Sequence, residues 1–289
     1  MQSYWEAMLG ASVKYYDVGG VHTRVLEAGT GTPIVALHGA GGHAENFVFS
    51  VVPLAQAGHI YALDMLGHGL NSRPTANYTI EGMLQHVEAF IAGLGVKRVT
   101  LMGLSLGSLL ASWIAIRKNV DVARLVVTTT FGYNTTGKSD EQLTADFGRV
   151  RDSNKTALAN TDFETIRKRM TPLVHTPELI TDEMIGVRQH IYRLPGAAET
   201  MGSVVDDLFA RRNEIALTPE RLRRIDADAF VIWGRHNPTP VEEAEAAVKA
   251  MPHASLLVLE KSGHWPHVEE MDAYNAALLK YLTGTLAAH

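Results

Sequence analysis

Three groups of residues have types and spacing that could do nucleophilic chemistry. Gly103-Leu104-Ser105-Leu106-Gly107 follows an apolar β-type run and opens a helical pattern. This G-x-S-x-G spacing sets a serine on a tight strand-to-helix turn, with glycines where side chains would collide. A plain glycine-rich packing turn has the same letters. His38-Gly39-Ala40-Gly41-Gly42 ends an earlier β-type run. Its glycines let the backbone approach a ligand, and the N–H groups of Ala40 and Leu106 form a natural pair for a developing oxyanion. No Lys-Ser/Thr follows, which argues against a phosphate-binding loop. Ser262-Gly263-His264-Trp265-Pro266 follows the last β-type run near the C-terminus. A serine hydroxyl is a poor nucleophile until a base takes its proton. His264 is the candidate base.

The partner that would orient His264 is less orthodox. Trp233-Gly234-Arg235-His236-Asn237-Pro238 ends the preceding strand, where an acid would be placed, and the residue there is Asn237. An amide oxygen can accept from an imidazole N–H but supplies no charge to stabilise the imidazolium. Asn-Pro is also a common turn pair. Glu242 and Glu243 lie shortly downstream. Thr239-Pro240-Val241-Glu242 has capping-box spacing, which gives Glu242 a structural task, and Glu243 would sit on a helix.

The elements that must position these residues alternate. Strands are expected at Thr23–Glu27, Pro33–His38, His59–Asp64, Arg98–Leu104, Arg124–Thr130, Ala229–Trp233 and Ser255–Leu259. All but the first are nearly continuous apolar runs, as in strands buried on both faces. Helical patterns between them imply an α/β fold with a mostly parallel sheet and crossover helices. The alternation stops between about 132 and 217, which reads as helices only. Ser139 with Gln142 and Thr161 with Glu164 have capping-box spacing, and Thr176-Pro177 and Thr218-Pro219 look like further helix starts. We therefore expect a core of residues 1–131 and 218–289 with an inserted helical cap of residues 132–217 over the carboxyl ends of the strands, where open α/β sheets bind ligands.

Composition narrows the classes. Hydrophobic residues make up 46% of the 289, enough for a substantial core. A net charge of −5 leaves no electrostatic footprint for nucleic acid or an anionic membrane surface. With no cysteine there is no disulfide, thiolate metal site or cysteine nucleophile. Met1 to Tyr15 lacks the features of a signal peptide. The uncharged run Val99–Ile116 reads as a buried strand entering a buried helix, so a cytoplasmic location is expected.

Over nearly its whole length the sequence resembles the α/β-hydrolase fold family, and within it the meta-cleavage-product (C–C bond) hydrolases of aromatic ring-fission products. The resemblance rests on Gly19 to Arg24, on Leu37 to Asn46, on Asp64-Met65-Leu66-Gly67-His68-Gly69, on Gly263-His264-Trp265-Pro266, and on Ile180 to Arg188 in the cap. It implies a Ser105 nucleophile, a His264 base and an acid at position 237. It also implies an oxyanion hole from Ala40 and Leu106, and substrate contacts from Gly39, Gly41, Asn46, Leu104, Arg188 and Trp265. Arg188 would bind a substrate carboxylate; a solvated Arg188 or one paired with Asp182 or Glu183 is the alternative. Two departures stand out. Leu104 occupies a position usually held by Asn, and Asn237 occupies the acid position. A serine nucleophile argues against dehalogenase and epoxide-hydrolase chemistry, which needs a carboxylate.

The reading is a serine hydrolase acting on a small-molecule substrate of the 2-hydroxy-6-oxo-dienoate type. A carboxylic ester or lactone is the alternative substrate, and a non-catalytic ligand-binding protein the alternative class. No metal or cofactor is called for. Dimers are common among such enzymes, so a homodimer is an expectation without a visible interface.

Overall fold

The structure, a computed structural model, describes residues 2–74 and 77–284. Eight strands form one sheet: β1 Ser12–Val18, β2 Val21–Ala28, β3 Pro33–Leu37, β4 His59–Leu63, β5 Arg98–Leu104, β6 Asp121–Thr128, β7 Asp228–Gly234 and β8 Ala254–Leu259. Their order is β1-β2-β4-β3-β5-β6-β7-β8. β1 and β2 run antiparallel to their neighbours, and the other six are parallel.

The continuous apolar runs follow from burial on both faces. Val35, Leu37, Leu101 and Trp233 pack into one core. Their chain neighbours Ile34, Ala36, Met102 and Ile232 pack into another on the opposite face. β1 was not among the expected strands, because its side chains Ser12 to Tyr15 are exposed at the sheet edge and show no apolar run. β6 stops at Thr128 rather than Thr130; Thr129 turns to φ +43°, though its N–H still donates to the Ile232 carbonyl of β7 (3.0 Å).

Between β6 and β7 the described chain is helical. The helices are Asp140–Ala159, Phe163–Met170, Asp182–Tyr192, Ala197–Ala210 and Arg212–Ile215, with a last short one at Pro219–Leu222. Ser139 caps the first through Gln142, as its spacing predicts. The next start lies one residue later than expected: Asp162, not Thr161, caps it through Thr165. Pro177 opens only a 3-10 turn. The segment's two ends are stitched together, Leu217 N–H donating to the Gly132 carbonyl (2.7 Å) and Asn134 N–H to the Leu217 carbonyl (3.1 Å). No helix among the described residues is long and apolar enough to cross a membrane.

Candidate active site

Ser105 sits between β5 and the helix Leu106–Arg117 with φ 56° and ψ −114°. Such a conformation costs a non-glycine residue about 1–3 kcal/mol and persists only where the surroundings enforce it. Here Ser105 N–H donates to the Thr128 carbonyl (3.0 Å), and the Thr130 hydroxyl donates to the Ser105 carbonyl (3.3 Å). The flanking glycines are required by space. A Cβ at Gly103 would overlap the Ser108 backbone, and one at Gly107 would overlap the Leu37 carbonyl.

The Gly39–Gly42 turn faces this serine. A Cβ on Gly39 would come within 3.1 Å of the Ser105 Cβ. Met65 N–H donates to His38 Nε2 (3.0 Å), so the His38 ring proton is on Nδ1 and is donated to the Gly39 carbonyl (2.8 Å). Gly42 N–H donates to the same carbonyl (2.9 Å). In a trans peptide C=O and N–H point opposite ways. With the Gly39 carbonyl held inside the turn, the Ala40 N–H points outward. Leu106 opens its helix, so its N–H has no intrahelical acceptor. Neither N–H group has an acceptor among the described residues.

Asp64 holds the neighbouring loop as a structural hub. Its carboxylate accepts from Ala44 N–H (2.7 Å), Leu70 N–H (2.7 Å) and Arg24 Nε (2.7 Å).

His264 follows β8. Its N–H donates to the Leu173 carbonyl (2.8 Å), and its own carbonyl accepts from the Thr129 hydroxyl (2.7 Å). Its Nδ1 lies 2.7 Å from Asn237 Oδ1. Asn237 Nδ2 donates to the Thr239 carbonyl (3.0 Å). That second bond fixes the amide: turning it over would set oxygen against oxygen. Nδ1 must therefore carry the proton, leaving Nε2 as the acceptor, the tautomer a general base needs. Burial, reinforced by the positive charge of Arg169, pushes the His264 pKa down to about 4.

Neither nearby glutamate serves His264. Glu242 is exposed. Glu243 is buried and accepts from Thr135 N–H (2.8 Å) and from the Thr135 and Thr136 hydroxyls, anchoring the start of the helical segment. The expected capping box at Thr239 does not form; the helix begins after Pro240 with no side-chain cap.

Ser105, His264 and Asn237 line one cavity of about 310 Å³. No Ser105–His264 hydrogen bond occurs among the described residues. Gly39, Ala40, Asn46, Leu104, Arg188 and Trp265 share that lining. Gly41 does not; its carbonyl instead accepts from Arg188 Nη1 (2.8 Å) and the Tyr192 hydroxyl (2.9 Å). The Leu106 side chain is buried in the core. Arg188 is buried, lies 5.6 Å from the Trp265 ring centre and pairs with neither Asp182 nor Glu183. Asp182 binds Arg167 (2.8 Å), and Glu183 accepts from Tyr4 N–H (3.0 Å). Asn46 Oδ1 accepts from His43 N–H (3.0 Å).

Sequence reasoning missed Arg169, which also lines the cavity. It stands in the run Arg167-Lys168-Arg169, which resembles a solvated helix face. The helical period carries the signal, because Arg169 lies three residues after buried Ile166. Of the apolar residues Phe163, Met170, Leu173, Met184, Met201 and Leu208, only Leu173 lines the cavity.

Residues 34–277 match the family model of the alpha/beta hydrolase family. The chain is 26% identical over 280 residues to the dihydrolipoyllysine-residue acetyltransferase component of the acetoin cleaving system of Cupriavidus necator, covering 95% of this chain and 70% of that protein. It is 25% identical over 278 residues to the 2-hydroxy-6-oxo-6-(2'-aminophenyl)hexa-2,4-dienoic acid hydrolase of Metapseudomonas resinovorans, covering 93% and 90%. The solved meta-cleavage product hydrolase from Pseudomonas fluorescens IP01 is similar in fold, with a TM-score of 0.81 at 23% identity, over 96% of this chain and 100% of that one.

Proposed function

The chain belongs to the alpha/beta hydrolase family, and from that premise we propose that it is a serine hydrolase of carboxylate-bearing substrates resembling aromatic ring-fission products. The observation that carries this reading is Ser105 held at φ 56°, ψ −114° in one cavity with the His264–Asn237 pair. Ser105 Oγ attacks the substrate carbonyl while His264 Nε2 takes its proton. Ala40 and Leu106 N–H groups hold the oxyanion. Collapse breaks the bond to the leaving group, which receives the proton from His264. Water, deprotonated by His264, then releases the acid from Ser105.

The helical segment 132–217 acts as a cap that closes the cavity with Leu173 and Arg188. Arg188, buried and without a carboxylate partner, supports a substrate with an acid group at its end. Asn237 makes this a weakly assisted base. Its amide fixes the tautomer but leaves the imidazolium without a counter-charge.

Leu104 favours a second reading. It is buried, apolar and in the cavity wall, so it offers no hydrogen bond to a dienol or enolate. An ordinary ester or lactone does not need one.

The test is labelling with a fluorophosphonate probe, mapped by peptide mass spectrometry, alongside Ser105→Ala. Labelling of Ser105 that disappears in the variant is expected, followed by turnover of a 2-hydroxy-6-oxo-dienoate. Absence of labelling in folded protein would count for a ligand-binding role. Turnover of esters alone would select the second reading.

A further inference from the structure

Three arginines and one aspartate are the charged residues lining the cavity: Arg149, Arg169, Arg188 and Asp146. Asp146 is already taken, by Arg149 (2.5 Å) and Lys138 (3.0 Å). No carboxylate of a described residue lies within ion-pair distance of Arg169 or Arg188. The two guanidiniums rest instead on consecutive backbone carbonyls. Arg188 Nη1 donates to the Gly41 carbonyl at 2.8 Å. Arg169 Nη2 donates to the Ala40 carbonyl at 3.4 Å and to Asn154 Oδ1 at 3.3 Å, both long for a charged donor. The Nε of each is buried without a partner. Two like charges set side by side, with donors left over, are unfavourable unless an anion meets them.

We propose that Arg169 is a second anion-binding residue beside Arg188, and that the pocket therefore selects a compact dianion: a carboxylate with a second anionic oxygen a few bonds away. The spacing follows from the anchors. Guanidiniums held on adjacent carbonyls can both engage only charges that lie close together. An enolised 2-oxo acid and a short dicarboxylate share this chemistry. The inference rests on the reading that the substrate occupies this cavity. Arg169 would also compensate for Leu104, supplying a donor for an enolate oxygen from the cap instead of from the strand end. A bound dianion would in turn screen His264 from the Arg169 charge, which adds to burial in depressing its basicity.

The test is calorimetric titration of Ser105→Ala protein with matched pairs: oxalate, a planar dianion with the outline of an enolised 2-oxo acid, against glycolate, and succinate against butanoate. We expect the dianion to bind about tenfold or more tightly in at least one pair. Which pair shows the preference identifies the source of the second charge. Adding Arg169→Gln should reduce the preference to about twofold or less, whereas Arg188→Gln should weaken the monoanions as well. Arg169→Met serves if the Gln variant does not melt cooperatively. No preference in either pair, or a preference that survives loss of Arg169, would overturn the proposal. Dianion binding through Arg169 in a protein that never phosphonylates Ser105 would remove the hydrolase reading and leave this one standing. The reverse result would do the opposite.

Discussion

His264 Nδ1 lies 2.7 Å from the Asn237 side-chain oxygen, and the Thr239 carbonyl keeps that oxygen in place by accepting from the amide nitrogen at 3.0 Å. The amide orients the ring without charging it. In a serine protease an Asp→Asn exchange in this role lowers turnover about 10⁴-fold. Asn237→Asp should therefore raise kcat here, but by less than that figure. One carboxylate oxygen would face the Thr239 carbonyl where the amide had donated. We expect a gain of about 10- to 100-fold with KM little changed. Steady-state kinetics of the parent and the variant on one substrate would measure it. An unchanged or lower rate would mean that the neutral amide is the working partner.

Five buried histidines among the described residues, His38 included, resist protonation in the folded chain. Burial pushes His68, His86 and His264 down to about 4 and His267 to about 3. Below the ordinary histidine value of about 6.5 the unfolded chain binds protons that the folded chain refuses. Stability is thus fully present above about pH 6.5 and is lost as pH falls toward 4, by up to about 1.4 kcal/mol per pH unit for each group. Urea unfolding midpoints should fall steadily across that window. His86 does not line the cavity, and its Nε2 lies 2.8 Å from the Thr23 hydroxyl. His86→Gln should flatten the slope. A midpoint independent of pH between 6.5 and 4 would count against neutral burial of these rings.

Much of this was legible from residue order. The parallel strands announce themselves by their apolar runs, most fully where both faces are buried, as in β3, β5 and β7; the edge strand β8 is only half-buried. Ser105, His264, Asn237 and the Gly39–Gly42 turn converge because each follows the carboxyl end of a strand, where the sheet gathers its loops. What was hidden depends on partners remote in sequence. β1 is an edge strand whose exposed side chains carry no apolar signature. Asp162 displaces Thr161 as a cap, a one-residue choice that spacing cannot make. Glu243 looked like a candidate acid until Thr135 and Thr136 claimed it. Arg169 shares a charged run with Arg167 and Lys168, and before the helix is docked only its three-residue spacing from Ile166 sets it apart.

Leu104 tests the nature of the substrate. It is 1% exposed, ends β5 and borders the cavity beside Ser105. Leu104→Asn replaces an apolar wall with an amide that can meet a dienol or enolate oxygen. If the natural substrate undergoes C–C cleavage, kcat/KM on a 2-hydroxy-6-oxo-dienoate should rise about tenfold, the scale of one added hydrogen bond, while ester turnover stays level or falls. Comparison of the two substrates on both proteins measures the difference. No gain on the dienoate together with efficient ester turnover by the parent would favour the ester reading.

Gly41 links the helical segment to the turn that carries Ala40. Its φ is +65°, and a Cβ there would overlap Asn154 Oδ1 and the Tyr192 hydroxyl. The Tyr192 hydroxyl and Arg188 both hold the Gly41 carbonyl. Gly41→Ala must therefore strain the backbone and push away Asn154 or Tyr192, the latter a holder of the Gly41–Gly42 peptide, disturbing the turn that carries the Ala40 N–H. Loss of one oxyanion donor lowers kcat about 10²–10³-fold in other hydrolases, and we expect a loss of about 10²-fold or more here. Gly95→Ala is the matched control. Its φ is +66°, with nothing within 4 Å of an added Cβ. It should lose about 1–2 kcal/mol of stability from the left-handed backbone alone and keep its turnover. Kinetics and thermal melting of both variants separate strain from position. Equal losses of kcat in the two, or none in Gly41→Ala, would remove Ala40 from the oxyanion hole.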